Sequence, residues 1–140
     1  MSDKRTGGCL CGAVKYEVTL QETDVHVCHC GLCQKWSGGP ALSLSCEDDW
    51  AITGEDSLTW YDSSDWGQRG FCNKCGTHLF GRVSAGDYRG IYAGSLDNQD
   101  ELKIGMHIFI DKKPPYYDFA DDTKRLTEAD FMAMFAEGEG

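Results

Sequence analysis

Seven of the eight cysteines of this chain fall into three tight groups, and this grouping constrains the fold more than any other feature. Zn²⁺ in a structural site takes four ligands in a tetrahedron, and thiolate is a favoured ligand. The grouping therefore predicts a fold organised around metal sites as well as an apolar core. The groups are, in chain order, the pair Cys9 and Cys11, the triplet Cys28, Cys30 and Cys33, and the pair Cys72 and Cys75.

The N-terminal sequence supports metal binding over disulfide formation. The first six residues lead into Gly7 and Gly8 without the apolar segment of a signal peptide. No stretch approaches the roughly 18 apolar residues of a membrane span. We therefore expect a cytoplasmic protein without a membrane partner. Thiols stay reduced in that compartment, where clustered cysteines indicate metal ligands before disulfides.

The bulk properties exclude one class of partner and limit the architecture. The net charge is −10 and the sequence pI is about 4.6. An acidic surface repels phosphate backbones, so we expect no nucleic-acid partner. A chain of 140 residues is predicted to form one domain over residues 1–140.

Short alternating segments predict a mainly β fold. In residues 13–20, Val14, Tyr16 and Val18 fall on one face, which is typical of a half-buried strand. In residues 41–46, Leu42 and Leu44 are expected to face the core. Residues 69–72 and 77–80 predict a hairpin with the second cysteine pair at its tip. Other strands are expected at residues 25–28, 50–52, 58–61, 88–93 and 106–110, and a single helical turn is expected after Cys33.

One helix is predicted near the C-terminus, at about residues 127–137. Thr127 is a suitable N-cap, and Asp130 follows it at the spacing of a capping box. Its apolar face is expected to pack on the core or to contact a second copy in a homodimer. The apolar face consists of Phe131, Met134 and Phe135.

The two pairs can complete one another. Cys72 and Cys75 have the spacing that lets both sulfurs reach one ion, and Gly76 follows at the position where such a knuckle needs a left-handed residue. Cys9 and Cys11 could supply the two remaining ligands. The resulting four-cysteine site would be closed, and its role would be structural.

The triplet is left one ligand short. In an extended segment His29 points away from Cys28 and Cys30, whereas His26 shares their face and could be a fourth ligand. Three protein ligands with an exchangeable fourth position are typical of catalytic zinc. A metal held by three thiolates suits the exchange of another soft ligand, such as a substrate thiol.

The remaining candidates are predicted to have structural roles. Cys46 lies outside the groups and is expected to be a small buried side chain. His78 and His107 are expected to pack or to form hydrogen bonds instead of binding metal.

The ordered motifs C-x-C, C-x-C-x-x-C and C-x-x-C resemble those of the glutathione-dependent formaldehyde-activating family, which includes the centromere-protein-V group. The resemblance covers roughly residues 7–119. Supporting segments are Gly8-Cys9-Leu10-Cys11-Gly12, Gln34-Lys35-Trp36-Ser37-Gly38-Gly39, Phe71-Cys72-Asn73-Lys74-Cys75-Gly76-Thr77, Gly94-Ser95-Leu96-Asp97 and His107-Ile108-Phe109.

The resemblance implies a tent-like, zinc-binding fold of antiparallel sheets with two zinc ions. It implies a structural zinc on the two cysteine pairs and a catalytic zinc on Cys28, Cys30 and Cys33. The activity it implies joins formaldehyde and glutathione into S-(hydroxymethyl)glutathione, which places the chain among the carbon–sulfur lyases.

Three hypotheses for function follow. The first is a zinc-dependent enzyme that adds a thiol such as glutathione to formaldehyde or a related small carbonyl compound. The second is a non-catalytic zinc module that presents its surface to a protein partner. The third is a thiol redox sensor, in which disulfides in the triplet replace the metal on oxidation.

Overall fold

The structure is a computed structural model that describes residues 3–83 and 88–139, with side chains as far as residue 134. Strands dominate the described residues, as the sequence predicts. In chain order the elements are β1 (Asp3–Gly8), β2 (Lys15–Leu20), β3 (Asp24–Cys28), α1 (Gly31–Ser37), β4 (Ala41–Ser45), β5 (Ala51–Thr53), β6 (Leu58–Asp62), β7 (Gly67–Cys72), β8 (His78–Val83), β9 (Arg89–Tyr92), β10 (Lys103–Ile108), β11 (Lys124–Arg125) and α2 (Glu128–Glu139).

The chain divides into two compact units. The first unit comprises Met1–Thr23 and Ser43–Leu102, and the second comprises Asp24–Leu42 and Lys103–Gly140. In the first unit, β1, β2 and β5 form an antiparallel sheet in that order. A second antiparallel sheet runs in the order β4, β9, β8, β7, β6, with β4 paired from Ser43 onward. The antiparallel sheets expected from the sequence are therefore present in this unit.

The core of the first unit follows the predicted alternation. Val14, Tyr16 and Val18 are all buried on one face of β2 and the turn before it. Phe80 of β8 has no exposed surface, and its ring lies 5.2 Å from that of Tyr16 and 5.0 Å from that of Trp50. Burial of apolar and aromatic surface at this point joins the two sheets of the unit.

The second unit contains parallel strand pairs. β10 pairs in parallel with both β3 and β11, and the strand order is β11, β10, β3. Parallel neighbours need a long crossover between them, so no local sequence pattern indicates this arrangement. The pairing places Ile108 beside Cys28 and His107 beside Val27.

The C-terminal helix α2 begins as predicted. The Thr127 hydroxyl accepts a hydrogen bond from the Asp130 N–H at 3.0 Å, and the Asp130 carboxylate accepts one from the Thr127 N–H at 3.1 Å. This reciprocal pair is a capping box. Phe131 packs on Phe109 at 5.4 Å, whereas Met134 is 47% exposed. The side chain of Phe135, the third predicted member of the apolar face, lies outside the described residues.

Three local predictions differ from the structure. Leu42 is 41% exposed, because Ala41 and Leu44 are the buried residues of β4 and strict alternation fails there. The segment from Asp3 to Gly8, which was not predicted to be a strand, forms β1 against β2. Helix α1 begins at Gly31 and is longer than one turn. Within the described residues, neither α1 nor α2 has the length and apolar composition needed to cross a membrane.

Candidate metal centres

The two cysteine pairs meet in the first unit and form a four-cysteine cluster of Cys9, Cys11, Cys72 and Cys75. The four sulfurs all lie within 4.8 Å of one another. The sulfurs of Cys9 and Cys11 are 3.6 Å apart, and those of Cys11 and Cys72 are 3.7 Å apart. A tetrahedral zinc with Zn–S bonds of about 2.3 Å requires sulfur–sulfur distances of about 3.8 Å. The spacing therefore fits one zinc ion.

Each pair lies in a tight turn that ends in a left-handed glycine. Gly12 has φ of 83° and its N–H donates to the carbonyl of Cys9 at 3.2 Å. Gly76 has φ of 79° and its N–H donates to the carbonyl of Cys72 at 2.8 Å. Residues with a Cβ rarely adopt this conformation. The glycines allow each turn to present both of its sulfurs in one direction.

Hydrogen bonds favour the thiolate form of two of the four cysteines in this cluster, Cys9 and Cys75. The Val14 N–H donates to Cys9 Sγ at 3.2 Å. A hydrogen bond from the Thr77 hydroxyl, at 3.1 Å, lowers the pKa of Cys75 to about 5. The thiolate is the form that binds metal, so these contacts prepare the cluster for a cation.

The triplet forms a three-cysteine cluster, consisting of Cys28, Cys30 and Cys33, in the second unit. Cys28 ends β3, Cys30 is the N-cap of α1, and Cys33 lies in the first turn of α1. The three sulfurs lie within 4.8 Å of one another, and Cys30 Sγ accepts a hydrogen bond from the Cys33 N–H at 3.3 Å. The strand end and the helix start thus converge on one point.

The pKa of Cys28 is raised far above its usual value. The main causes are the neighbouring sulfurs of Cys30 and Cys33, followed by burial. Three thiolates this close repel one another strongly, and a divalent cation between them removes the repulsion. The donor set is all sulfur, which suits zinc. These three residues would hold the ion, and it would supply a position at which an external thiol is bound as a thiolate.

No fourth ligand joins the three-cysteine cluster among the residues that the structure describes. The candidate fourth ligand His26 is not part of the group. His29 is fully buried and is likewise not part of the group, and its Nε2 lies 2.9 Å from Nδ1 of His107. The prediction that His107 forms hydrogen bonds is confirmed, because its Nε2 also contacts both carboxylate oxygens of Asp121 at 3.0 and 3.1 Å.

The chain of His29, His107 and Asp121 is the part of this centre that the sequence did not indicate. The Phe119 ring makes T-shaped contacts with both imidazoles, at centroid distances of 5.6 Å to His29 and 4.9 Å to His107. Burial, followed by electrostatic interaction with His107, Lys113 and Arg125, lowers the pKa of His29 to about 4. The pairing of β10 with its neighbouring strands brings His29, His107 and Asp121 together. No spacing of residues in the sequence indicates that pairing.

Two other predicted side chains have the expected structural roles. Cys46 is 2% exposed and belongs to neither cluster, and burial raises the pKa of its thiol to about 12. His78 is half-buried, its ring lies 5.9 Å from that of Tyr92, and burial lowers its pKa. It is outside both cysteine clusters.

Fold and clusters together define a class: a mainly β protein with two cysteine sites able to hold metal ions. The sequence model of the glutathione-dependent formaldehyde-activating enzyme family matches residues 4–112, which include both clusters. The chain belongs to this family. The resemblance found in the cysteine motifs is therefore confirmed.

Similar proteins carry related names. An uncharacterized lyase of Schizosaccharomyces pombe is 30% identical over 127 residues, covering 90% of this chain and 93% of the yeast protein. A protein of Talaromyces marneffei, provisionally named a glutathione-dependent formaldehyde-activating enzyme, is 38% identical over 81 residues. That match covers 54% of this chain and 43% of the fungal protein, so the chain spans less than half of the fungal protein's length.

The fold is also seen in a solved structure of another protein. The crystal structure of a Rhodobacter sphaeroides protein, a structural genomics target, superposes with a TM-score of 0.58 and 24% identity. The match covers 71% of this chain and 96% of that protein.

Proposed function

We propose that this protein is a zinc-dependent enzyme of the carbon–sulfur lyase class. It adds a thiol, such as glutathione, to formaldehyde or to a related small carbonyl compound. A structural zinc would be held by Cys9, Cys11, Cys72 and Cys75. A catalytic zinc would be held by Cys28, Cys30 and Cys33. Membership of the family supports the reaction class.

The unequal composition of the two clusters carries this proposal. The first cluster has four sulfurs, which is the full set for a closed tetrahedral site, whereas the described residues supply three sulfurs to the second. A purely structural zinc site normally has four protein ligands, so a site with three is not expected in a protein whose metals serve only stability. A non-catalytic zinc module is therefore supported less well than an enzyme that binds its substrate at the remaining position.

The chemistry follows from sulfur as the reacting atom. The substrate thiol would be present as its thiolate at the ion held by Cys28, Cys30 and Cys33, because a cation lowers the pKa of a thiol that coordinates it. The thiolate sulfur attacks the carbonyl carbon, a carbon–sulfur bond forms, and the carbon–oxygen π bond breaks. The proton ends on the new hydroxyl, so the reaction needs no oxidant or reductant. Cys28, Cys30 and Cys33 would hold the ion, and none of the three would be consumed.

The deciding experiment measures metal content and activity in matched variants. The wild type should contain two zinc ions, and the triple variant Cys28→Ser/Cys30→Ser/Cys33→Ser should stay folded and contain one. Cys46→Ser, which removes a thiol outside both clusters, is the control and should keep both ions.

Activity is followed as the rate of S-(hydroxymethyl)glutathione formation by exchange NMR, after subtraction of the rate without protein. The wild type and Cys46→Ser should accelerate formation, and the triple variant should not. Equal rates for wild type and triple variant would refute the enzyme proposal. Reversible loss of one zinc under mild peroxide, without catalysis, would instead support the redox sensor.

The broader expectations stay predictions. These are a single domain, a cytoplasmic location, the absence of nucleic-acid and membrane partners, and a homodimer as one assembly state. Size-exclusion chromatography coupled to light scattering would decide the assembly state.

A further inference from the structure

The hydrogen bonds that join Asp121, His107 and His29 determine which ring nitrogen of each imidazole carries the proton. An ionised carboxylate only accepts hydrogen bonds, so Asp121 requires the proton of His107 to be on Nε2. In the neutral ring, His107 Nδ1 then accepts, and it faces His29 Nε2 at 2.9 Å. His29 Nε2 must therefore donate. One carboxylate thus sets the tautomer and the orientation of both rings.

The main chain at His29 is held as firmly as the side chain. Its N–H donates to the carbonyl of Ile108 at 3.0 Å. Its carbonyl accepts from the Gln34 side-chain amide at 2.8 Å, and the same amide nitrogen donates to the carbonyl of Lys112 at 2.9 Å. Two main-chain hydrogen bonds and the side-chain contact with His107 therefore hold His29, which lies in sequence between Cys28 and Cys30.

Stability alone does not account for this arrangement. His29 and His107 are both fully buried, and His29 Nδ1 has no hydrogen-bond partner among the described residues. Burying polar rings costs free energy, and a buried nitrogen without a partner costs more. Two apolar side chains of similar size would fill the same space beside Phe119 without that cost.

We propose that Asp121 and His107 are positioning residues for the three-cysteine cluster: they hold the His29 ring and thereby fix the directions of the Cys28 and Cys30 sulfurs. Because neighbouring side chains of an extended segment point to opposite sides, fixing His29 on one side fixes both sulfurs on the other. This inference rests on the proposed function in one respect only, namely that the three-cysteine cluster holds a metal ion.

The test compares metal release from the two clusters within one molecule. A chromogenic chelator in excess removes zinc from the purified holoprotein, and the triple serine variant identifies the phase that belongs to the three-cysteine cluster. His107→Phe keeps a ring but breaks the chain of hydrogen bonds, and Asp121→Ala removes the acceptor. Asp121→Asn keeps an acceptor oxygen. Asp122→Asn makes the same charge change at the next, exposed residue and is the control.

Release from the three-cysteine cluster should become about 10- to 100-fold faster in His107→Phe and Asp121→Ala. Asp121→Asn should restore most of the wild-type rate, and Asp122→Asn should equal the wild type. Release from the four-cysteine cluster should stay the same in all four variants, which separates positioning from a general loss of stability. Equal acceleration of both phases, or no change in either, overturns the proposal.

A second measurement keeps the two proposals distinguishable. If the wild type contains a single zinc ion, the two-zinc proposal fails. The positioning residues can then be tested alone, by measuring the alkylation rates of Cys28 and Cys30 in the protein as purified. Their alkylation rates should rise in His107→Phe and Asp121→Ala relative to Asp122→Asn, with Cys9 as the reference. Unchanged rates overturn the positioning role without bearing on zinc.

Discussion

The four-cysteine and three-cysteine clusters achieve similar sulfur spacing in opposite ways. The first unites two short turns that are 61 residues apart, each shaped by its own left-handed glycine. The second takes its three sulfurs from six consecutive residues and is held by residues that bear no sulfur. Under the proposed function, the closed site could rely on its metal for its geometry, whereas the site that exchanges a ligand would need the protein to keep that geometry.

The largest expected difference is in folding. Cys72→Ser/Cys75→Ser should abolish the cooperative unfolding transition, because zinc binding at structural sites contributes about 10–16 kcal/mol. That is comparable with the whole free energy of unfolding of a domain, about 5–15 kcal/mol. The triple serine variant of the other cluster should retain a cooperative transition. Thermal unfolding followed by near-UV circular dichroism measures both, and similar melting curves for the two variants would contradict the comparison.

A smaller loss is expected from a substitution in the core of the first unit. Phe80→Ala removes a fully buried ring that packs on Tyr16, Trp50 and Trp60, and should lower the free energy of unfolding by about 3–5 kcal/mol. Urea unfolding provides the measurement. Leu42→Ala, at an exposed position, is the control and should change the free energy of unfolding by less than about 0.5 kcal/mol.

Replacing the left-handed glycine after Cys75 should lower the free energy of unfolding by about 1–2 kcal/mol. Gly76→Ala places a Cβ in open space, so its cost isolates the left-handed backbone conformation. Zinc release from the four-cysteine cluster should accelerate, and release from the other cluster should not. An unchanged free energy of unfolding would show that the turn tolerates a Cβ and that the glycine does not shape the cluster.

The smallest effect has the opposite sign. Gly31 begins α1 beside the three-cysteine cluster, and a Cβ there also meets open space. Because alanine is the better helix former, Gly31→Ala should raise the free energy of unfolding by about 0.5–1 kcal/mol. If Gly31→Ala lowered the free energy of unfolding as much as Gly76→Ala does, the two clusters would not differ in their need for glycine.

Local chemistry and the meeting of the two cysteine pairs were readable from the sequence, and the pairing of distant strands was not. The spacing of Cys72 and Cys75 with Gly76 predicts a knuckle, and Thr127 with Asp130 predicts a helix start, because both depend on residues within one turn. The same holds for the buried face of β2. Each of these signals is complete within a few residues.

The contacts of His107 show why the rest could not be predicted. Its bonds to His29 and Asp121 depend on residues 78 and 14 positions away, and on parallel pairing of β10 that leaves no periodic trace. The exposure of Leu42 likewise depends on what covers β4 and not on the alternation within it. The sequence therefore predicted the proposed ligands but not the hydrogen bonds that join His29, His107 and Asp121.

The wide separation of the two knuckles has a consequence for the unfolded chain. A metal bridge between Cys11 and Cys72 closes a loop of about 61 residues, and a cross-link of that length removes about 4 kcal/mol of loop-closure entropy from the unfolded state. Such a bridge would restrict the unfolded chain as a disulfide does, but different reagents would break it. Reductants leave it intact, whereas chelators and thiol oxidants open it, so the protein would keep a covalent-like staple under conditions in which disulfides are lost.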